Sequence, residues 1–390
     1  MEGRIRINHF LPVMLGFFVM GFIDVVGIAS NYIKQDFNLS DTIGNLILMM
    51  VYVWFVLFSI PTGILMDRIG RRKTVFASIV ISSIALFVPM VSYDVVNVLI
   101  SLAMLGIGNT MLQVSLNPLV GDIVPDSKLA SSLTFGQFIK AISSFSGPVL
   151  AGGAAFYLGN WLYLFPLFGG VSVLAALWIN GIKINEAGKG GKKASFADCV
   201  RLLRDRITLG LFIGILLVVG IDVGLNVSIP KYLMFKGNLR LEEAGLGISL
   251  YFAAKAAGAF LGAILLSRIS VNKFYTATVV MALGSLSFTL LIPSLAGVYV
   301  GIFLLGITLS NIFSIIFSKA LQHNPDYRNE VSGLMMMGII GGAIVPLAIG
   351  IVSDNLGHTM GMLVVGICMV YLLVNSMYGR MALIKSQELS

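Results

Sequence analysis

The chain has 390 residues, 57% of them hydrophobic and 11% charged, and its 26 Lys and Arg outweigh 18 Asp and Glu for a net charge of +8. Soluble domains carry about 25% charged residues. This composition therefore excludes an ordinary soluble enzyme, a disordered chain and a nucleic-acid binder, and leaves a protein that crosses a bilayer repeatedly, provided the apolar residues fall into spanning runs.

They do: twelve apolar runs of spanning length occur at 10–33, 43–66, 74–92, 96–121, 130–156, 161–182, 207–235, 242–267, 273–292, 295–321, 331–353 and 359–383. The runs are continuous and do not alternate, which predicts helices and not barrel strands. The first is long enough to span and lacks a small-residue cleavage site, so it reads as a helix and not as a cleaved leader. Cys199 and Cys368, with three scattered histidines, supply neither a disulfide framework nor a metal site. No cofactor is expected.

An even number of spans puts both ends of the chain on one side, and the basic residues choose the side. Nineteen Lys and Arg, from Arg4 and Arg6 through the Arg71–Lys73 cluster to Arg380 and Lys385, fall on one set of loops. Only Lys34, Lys231, Lys236 and Arg240 fall on the other. The asymmetry places both termini in the cytoplasm of a plasma (inner) membrane, and one missed span would destroy it.

The longest polar stretch, 183–206, separates six runs from six and predicts an N-terminal bundle at 1–182, a cytoplasmic linker and a C-terminal bundle at 207–390. The linker's second half, Phe196 to Leu203, has the pattern of an amphipathic surface helix. The halves repeat. Ile23-Asp24-Val25 returns as Ile221-Asp222-Val223 after 198 residues, Leu105-Gly106-Ile107 as Leu305-Gly306-Ile307 after 200, and Pro148 as Pro346 after 198. Three matches near one offset predict an all-α membrane protein of two pseudo-symmetric six-helix bundles, the architecture of carriers whose bundles rock about a central site.

Between the second and third runs lies Gly63-Ile-Leu-Met-Asp67-Arg68-Ile-Gly70-Arg71-Arg72-Lys73. Gly63 allows close helix approach, and Gly70 permits a turn that a β-carbon would hinder. Asp67 can face a helix N-terminus of the other bundle and pair with an Arg of its own loop. The segment resembles the signature loop Gly-x-x-x-Asp-x-x-Gly-Arg-[Arg/Lys] of the major facilitator superfamily. That resemblance implies a cytoplasmic gate that latches the bundles, and a monomer.

Charges at bilayer depth are costly and face a bundle interior or a watery cavity. Here they are Asp24 in the first run, Lys140 in the fifth, Asp222 in the seventh and Lys255 in the eighth. Asp24–Lys140 and Asp222–Lys255 can each be a buried ion pair that holds helices together, or a proton switch whose acid is neutral in one state and paired in the other. Neutral amides join them: Gln113 and Asn117, Gln137, Asn226 and Asn311. Gln113/Asn117 and Asp222/Asn226 are spaced i, i+4 and Gln137/Lys140 i, i+3, so each pair shares a helix face and can grip adjacent hydroxyls of a small solute.

Gln113-Val-Ser-Leu-Asn117-Pro118 resembles the Glu-x-x-x-Asn-Pro stretch of the fucose permease and glucose/galactose transporter branch. Asp222 with Tyr232, Phe313 to Leu321, and Gly341 to Pro346 with Asp354 also resemble that branch. The resemblance implies a secondary active importer of a sugar or sugar-like solute, coupled to protons through Asp24 or Asp222. The departures are local. Gln113 stands where the branch has a glutamate, Lys140 where it has an asparagine, and Asp24 one turn ahead of its aspartate, whose place Gly27 takes. A lysine there also suits an anionic solute (a sugar acid, organic acid or peptide), with protons or sodium as the coupling ion. No enzyme motif surrounds the aspartates, the gate motif and the absence of repeated pore rings speak against a channel, and a flux measurement separates a transporter from a non-transporting receptor.

Overall fold

The computed structural model describes residues 7–25, 29, 32–33, 36–38, 41–184, 186, 196–239 and 241–387. The chain ends with Arg4 and Arg6, Gly27, and the basic linker stretch 189–193 lie outside them. Among the described residues there is no strand.

Twelve helices follow in chain order: α1 (Ile7–Met20), α2 (Asp41–Ile69), α3 (Arg71–Val91), α4 (Val95–Ile123), α5 (Asp126–Leu158), α6 (Leu164–Gly181), α7 (Arg206–Gly237), α8 (Leu241–Leu266), α9 (Val271–Leu291), α10 (Leu295–Leu309, resuming as Ile312–His323), α11 (Arg328–Met337, resuming as Gly341–Leu356) and α12 (His358–Gln387). Eleven spans along them are long and apolar enough to cross a membrane, and α2 adds a helix of 29 residues. Six of the helices, α2, α4, α5, α7, α11 and α12, outrun their apolar runs at both ends. Hydrophobicity marks the hydrocarbon depth, whereas backbone hydrogen bonding continues until a cap or turn residue stops it.

The caps are visible. Asp94 opens α4 by accepting from the Asn97 N–H, Asp205 opens α7 by accepting from the Thr208 N–H, and Ser294 opens α10 by accepting from the Gly297 N–H. The first run is the exception. Its α-helix ends at Met20 and tightens into a 3₁₀ turn over Gly21–Val25. A β-carbon on Gly21 would stand 2.6 Å from the Lys140 carbonyl. The turn forms where α1 presses on the backbone of α5, and glycine is what permits that approach. The linker contains the expected short helix, Phe196–Arg201, followed by a 3₁₀ turn.

The chain divides into two compact units. The first holds residues 1–129, 136–201 and 324–337, and the second 130–135, 202–323 and 338–390. In the first, α4 packs against α2 and α3, α3 against α6, and α1 against α4 and α6. In the second, α8 and α9 pack on α10, and α7 packs on α11 and α12. A short piece of each sequence half belongs to the opposite unit. Residues 130–135 at the start of α5 join the second unit, where the Ser131 hydroxyl donates to the Ala263 carbonyl at 2.6 Å. Residues 324–337 at the start of α11 join the first.

Asp205 lies outside the spans. Burial alone would raise its carboxyl, but the Thr208 N–H and hydroxyl (both 2.8 Å) and His323 (2.9 Å) outweigh that and hold it below the ordinary 3.8. A depressed carboxyl stabilises above its unfolded value and loses the contribution as pH falls through the folded one. Asp205→Ala is therefore expected to lower the Tm of detergent-solubilised protein at neutral pH, by about 1 kcal/mol of stability. The difference from wild type should fade only below about pH 4.

Candidate functional site

The first unit carries three of the polar helix faces. On α4, the Asn117 amide donates to the Gln113 carbonyl at 2.7 Å, and both residues are buried. The i, i+4 pair meets as predicted, but through the backbone of Gln113, whose side-chain amide keeps its hydrogen-bonding capacity. On α5, Gln137 and Lys140 are half-buried on one face. Asp24, at the end of the α1 turn, is exposed on its unit and accepts from the Ser144 hydroxyl at 2.5 Å.

Asp24 and Lys140 do not form an ion pair: among the described residues no salt bridge within 4.0 Å joins Lys140 to a carboxylate. The reason is the close approach at Gly21. It seats the α1 turn on the Lys140 carbonyl and the Ser143 side chain, and Asp24 meets the Ser144 hydroxyl one turn along α5.

The second unit makes the other predicted pair. Lys255 Nζ lies 2.6 Å from Asp222 Oδ2, and the Tyr251 hydroxyl donates to Asp222 Oδ1 at 2.8 Å. Both carboxylate oxygens are engaged. The ion pair is about one-third exposed, while Tyr251 is fully buried. Tyr251 went unread in the sequence, although its i, i+4 spacing to Lys255 is the available signal. Asn226 is half-buried one turn beyond Asp222. Asn311 is 2% exposed and donates to the Gly258 carbonyl at 3.1 Å, in a groove of α8 that a β-carbon on Gly262 would fill. It packs in the α8–α10 seam.

The signature loop builds a dense network with the start of α11. A β-carbon on Gly63 would meet the Asn329 carbonyl at 2.9 Å, and one on Gly333 the Ser59 carbonyl at 2.7 Å, so α2 and α11 cross backbone to backbone. Gly70 has φ +93°, a conformation that favours glycine, and lets α2 turn directly into α3. Asn329 stands between the two charges expected to pair. Its amide donates to Asp67 at 2.5 Å and its oxygen accepts from Arg71 Nε at 2.7 Å. The ion pair of Arg71 is instead with Asp122 of α4, at 2.6 Å and almost wholly buried. Asp67 therefore reaches the first turn of α11 as predicted, but touches Arg71 only through Asn329.

Arg72 donates to the Asn180 and Ile182 carbonyls at the end of α6, at 2.8 and 2.7 Å. Arg68 is exposed. Glu186, at the start of the linker, accepts from the Arg71 and Arg72 N–H groups at 2.7 and 3.2 Å. It caps α3, whose N-cap glycine has no side chain to do so. Arg328 reaches Asp126 at 2.9 Å. Asp122, Asn329, Glu186 and Ser144 had no sequence signal of their own, because each acts across a long separation.

Relatives share this architecture. The glucose/galactose transporter of Brucella abortus (strain 9-941) is 26% identical over 386 residues, covering 93% of this chain and 92% of the relative. The hexuronate transporter of Bacillus subtilis is 26% identical over 180 residues, 44% of this chain and 42% of the relative. The crystal structure of the E. coli fucose:proton symporter FucP superposes with a TM-score of 0.84 at 18% identity, covering 96% of this chain and 99% of FucP. That likeness establishes the fold. The family profile of the Major Facilitator Superfamily matches residues 13–346, more than half the chain, and the protein is a member of that superfamily: an integral membrane transporter and not an enzyme.

Proposed function

We infer that this protein is a secondary active transporter that imports a sugar or sugar-like polar solute by proton symport and alternating access. It would lie in the plasma (inner) membrane as a monomer with both termini in the cytoplasm. The observation that carries the reading is Asp24, a carboxylate in a membrane span, exposed on its unit and held by a single hydroxyl. It can take or lose a proton without breaking an ion pair. Asp222, with a lysine on one oxygen and a phenol on the other, is charge-compensated where it stands. Asp24 therefore serves best as the proton carrier, and Asp222–Lys255–Tyr251 as its neutralised counterpart in the second half. Gln113, Asn117, Gln137 and Asn226 supply amides suited to sugar hydroxyls. The relatives named for glucose, galactose and fucose support that chemistry.

A second reading rests on Lys140, a half-buried ammonium with no carboxylate partner among the described residues. A half-buried cation of this kind suits an anionic ligand, and the relative named a hexuronate transporter points to a sugar acid.

Counterflow in proteoliposomes, run with hexoses, deoxyhexoses and hexuronates, decides between the two. Exchange of at least one of these solutes is expected, and silence across the whole panel would sink the substrate assignment. Asp24→Asn should retain exchange yet lose accumulation driven by a pH gradient. Accumulation that survives the substitution, or that follows sodium when sodium is replaced by choline, removes Asp24 from proton coupling. If the solute is an anion, Lys140→Ala should weaken its binding roughly 10- to 100-fold while sparing neutral sugars, as read by ligand-induced thermal shift.

A further inference from the structure

Helix α4 contains Pro118. Proline has no N–H, so the carbonyl four residues earlier, that of Val114, receives no bond from its own helix. Val114 is fully buried, and in a water-free interior an orphaned carbonyl is destabilising. The partner comes from far along the chain. The Ser332 hydroxyl, itself fully buried, donates to the Val114 carbonyl at 2.5 Å. Ser332 lies on the first piece of α11, three residues after Asn329, which bridges Asp67 and Arg71. Val114 adjoins Gln113, whose own carbonyl holds the Asn117 amide. One hydroxyl thus joins the signature-loop network to the amide face of α4.

The repeat shows that the arrangement belongs to one half only. The counterpart of Ser332, 198 residues earlier, is Thr134, and the counterparts of Val114 and Pro118, 200 residues later, are Ser314 and Ser318. No proline frees a carbonyl there. The Thr134 and Ser314 hydroxyls are both buried without a hydrogen-bond partner. The serine–carbonyl bond therefore follows from Pro118 and not from the fold in general.

We propose that Ser332 is a positioning residue that couples the cytoplasmic gate to the solute site: seated, it satisfies the carbonyl that Pro118 frees at Val114, and unseated, it leaves an acceptor open beside Gln113. This rests on the alternating-access reading, in which residues 324–337 leave α4 when the cytoplasmic side opens. Losing the bond un-braces α4 at its Gln113–Asn117 turn, which weakens the hold on solute in the state that must release it. The closed gate, in turn, keeps those amides in register.

The test measures the gate directly. Spin labels at Lys73→Cys and Arg268→Cys, both exposed positions, are introduced into a chain with Cys199→Ala and Cys368→Ala, and distances between them are recorded with and without solute. Two distance populations are expected. Ser332→Ala should raise the ratio of the long (open) population to the short one at least about fivefold. Ser332→Thr, which keeps a hydroxyl, should stay within about twofold of the parent. With Pro118→Ala already present, an N–H again serves the Val114 carbonyl, and adding Ser332→Ala should change the ratio by less than about twofold.

An unchanged ratio in Ser332→Ala, or an equal shift with and without Pro118, overturns the coupling. If Ser332→Ala alone fails to fold, recovery of folded protein on adding Pro118→Ala supports the pairing, and continued loss overturns it. A parent chain with one distance under all conditions removes the alternating-access reading and this inference together, whereas two populations that ignore Ser332 remove only the inference.

Discussion

Hydrocarbon offers no hydrogen bonds, so a polar atom held at bilayer depth is stabilised when it finds a partner within the protein or at an aqueous surface, although a few here, such as the Thr134 and Ser314 hydroxyls, have none. That constraint orders most of what is unusual in this chain. Asn311 fills a glycine groove and gives its amide to the Gly258 carbonyl. Asn117 folds back on the Gln113 carbonyl. The carbonyl that Pro118 orphans at Val114 takes a hydroxyl from Ser332. Ionisable groups follow the same rule at higher stakes. Arg71 and Asp122 are buried together, and Asp222 has both oxygens occupied. Asp24, which is not paired with Lys140, is exposed on its unit, and Lys140 is half-buried.

Glycine placement works with this constraint. Polar partners on neighbouring helices meet only where helices come close, and glycine permits such approaches at Gly21, Gly63, Gly262 and Gly333 among others. At Gly21 the approach decides which residue of α5 Asp24 can reach. At Gly63 and Gly333 it lets Asn329 and Ser332 enter the first unit deeply enough to bond Asp67, Arg71 and the α4 backbone. A larger side chain at either crossing would separate these partners and expose several polar groups at once.

The two halves repeat in sequence but not in chemistry. The first keeps Asp67 and Arg71 in its signature loop, whereas the second reads Ser267-Arg268-Ile269-Ser270 and has no aspartate there. Among the described residues, Asp24 and Lys140 of the first make no ion pair with each other, whereas Asp222 and Lys255 of the second are in contact. Symmetry of fold then provides two related arrangements, and asymmetry of side chains makes them functionally distinct.

Legible in the amino-acid sequence are the twelve helices, the approximate limits of all but the first, the basic asymmetry of the loops, the internal repeat, the need for glycine at 63 and 70, and the small set of polar residues at bilayer depth. These are all local or periodic properties, set by hydrophobic run length and by the backbone that one residue type allows. Which polar residues touch was decided by tertiary structure alone. Asp24 meets Ser144 and not Lys140, Asn329 stands between Asp67 and Arg71, Glu186 caps α3, and Asn311 faces a helix seam. Those outcomes depend on how far one helix slides and rotates against another. A shift of one residue turns a side chain by about 100° around the helix, and no run of residues along a single span encodes its register against a neighbour.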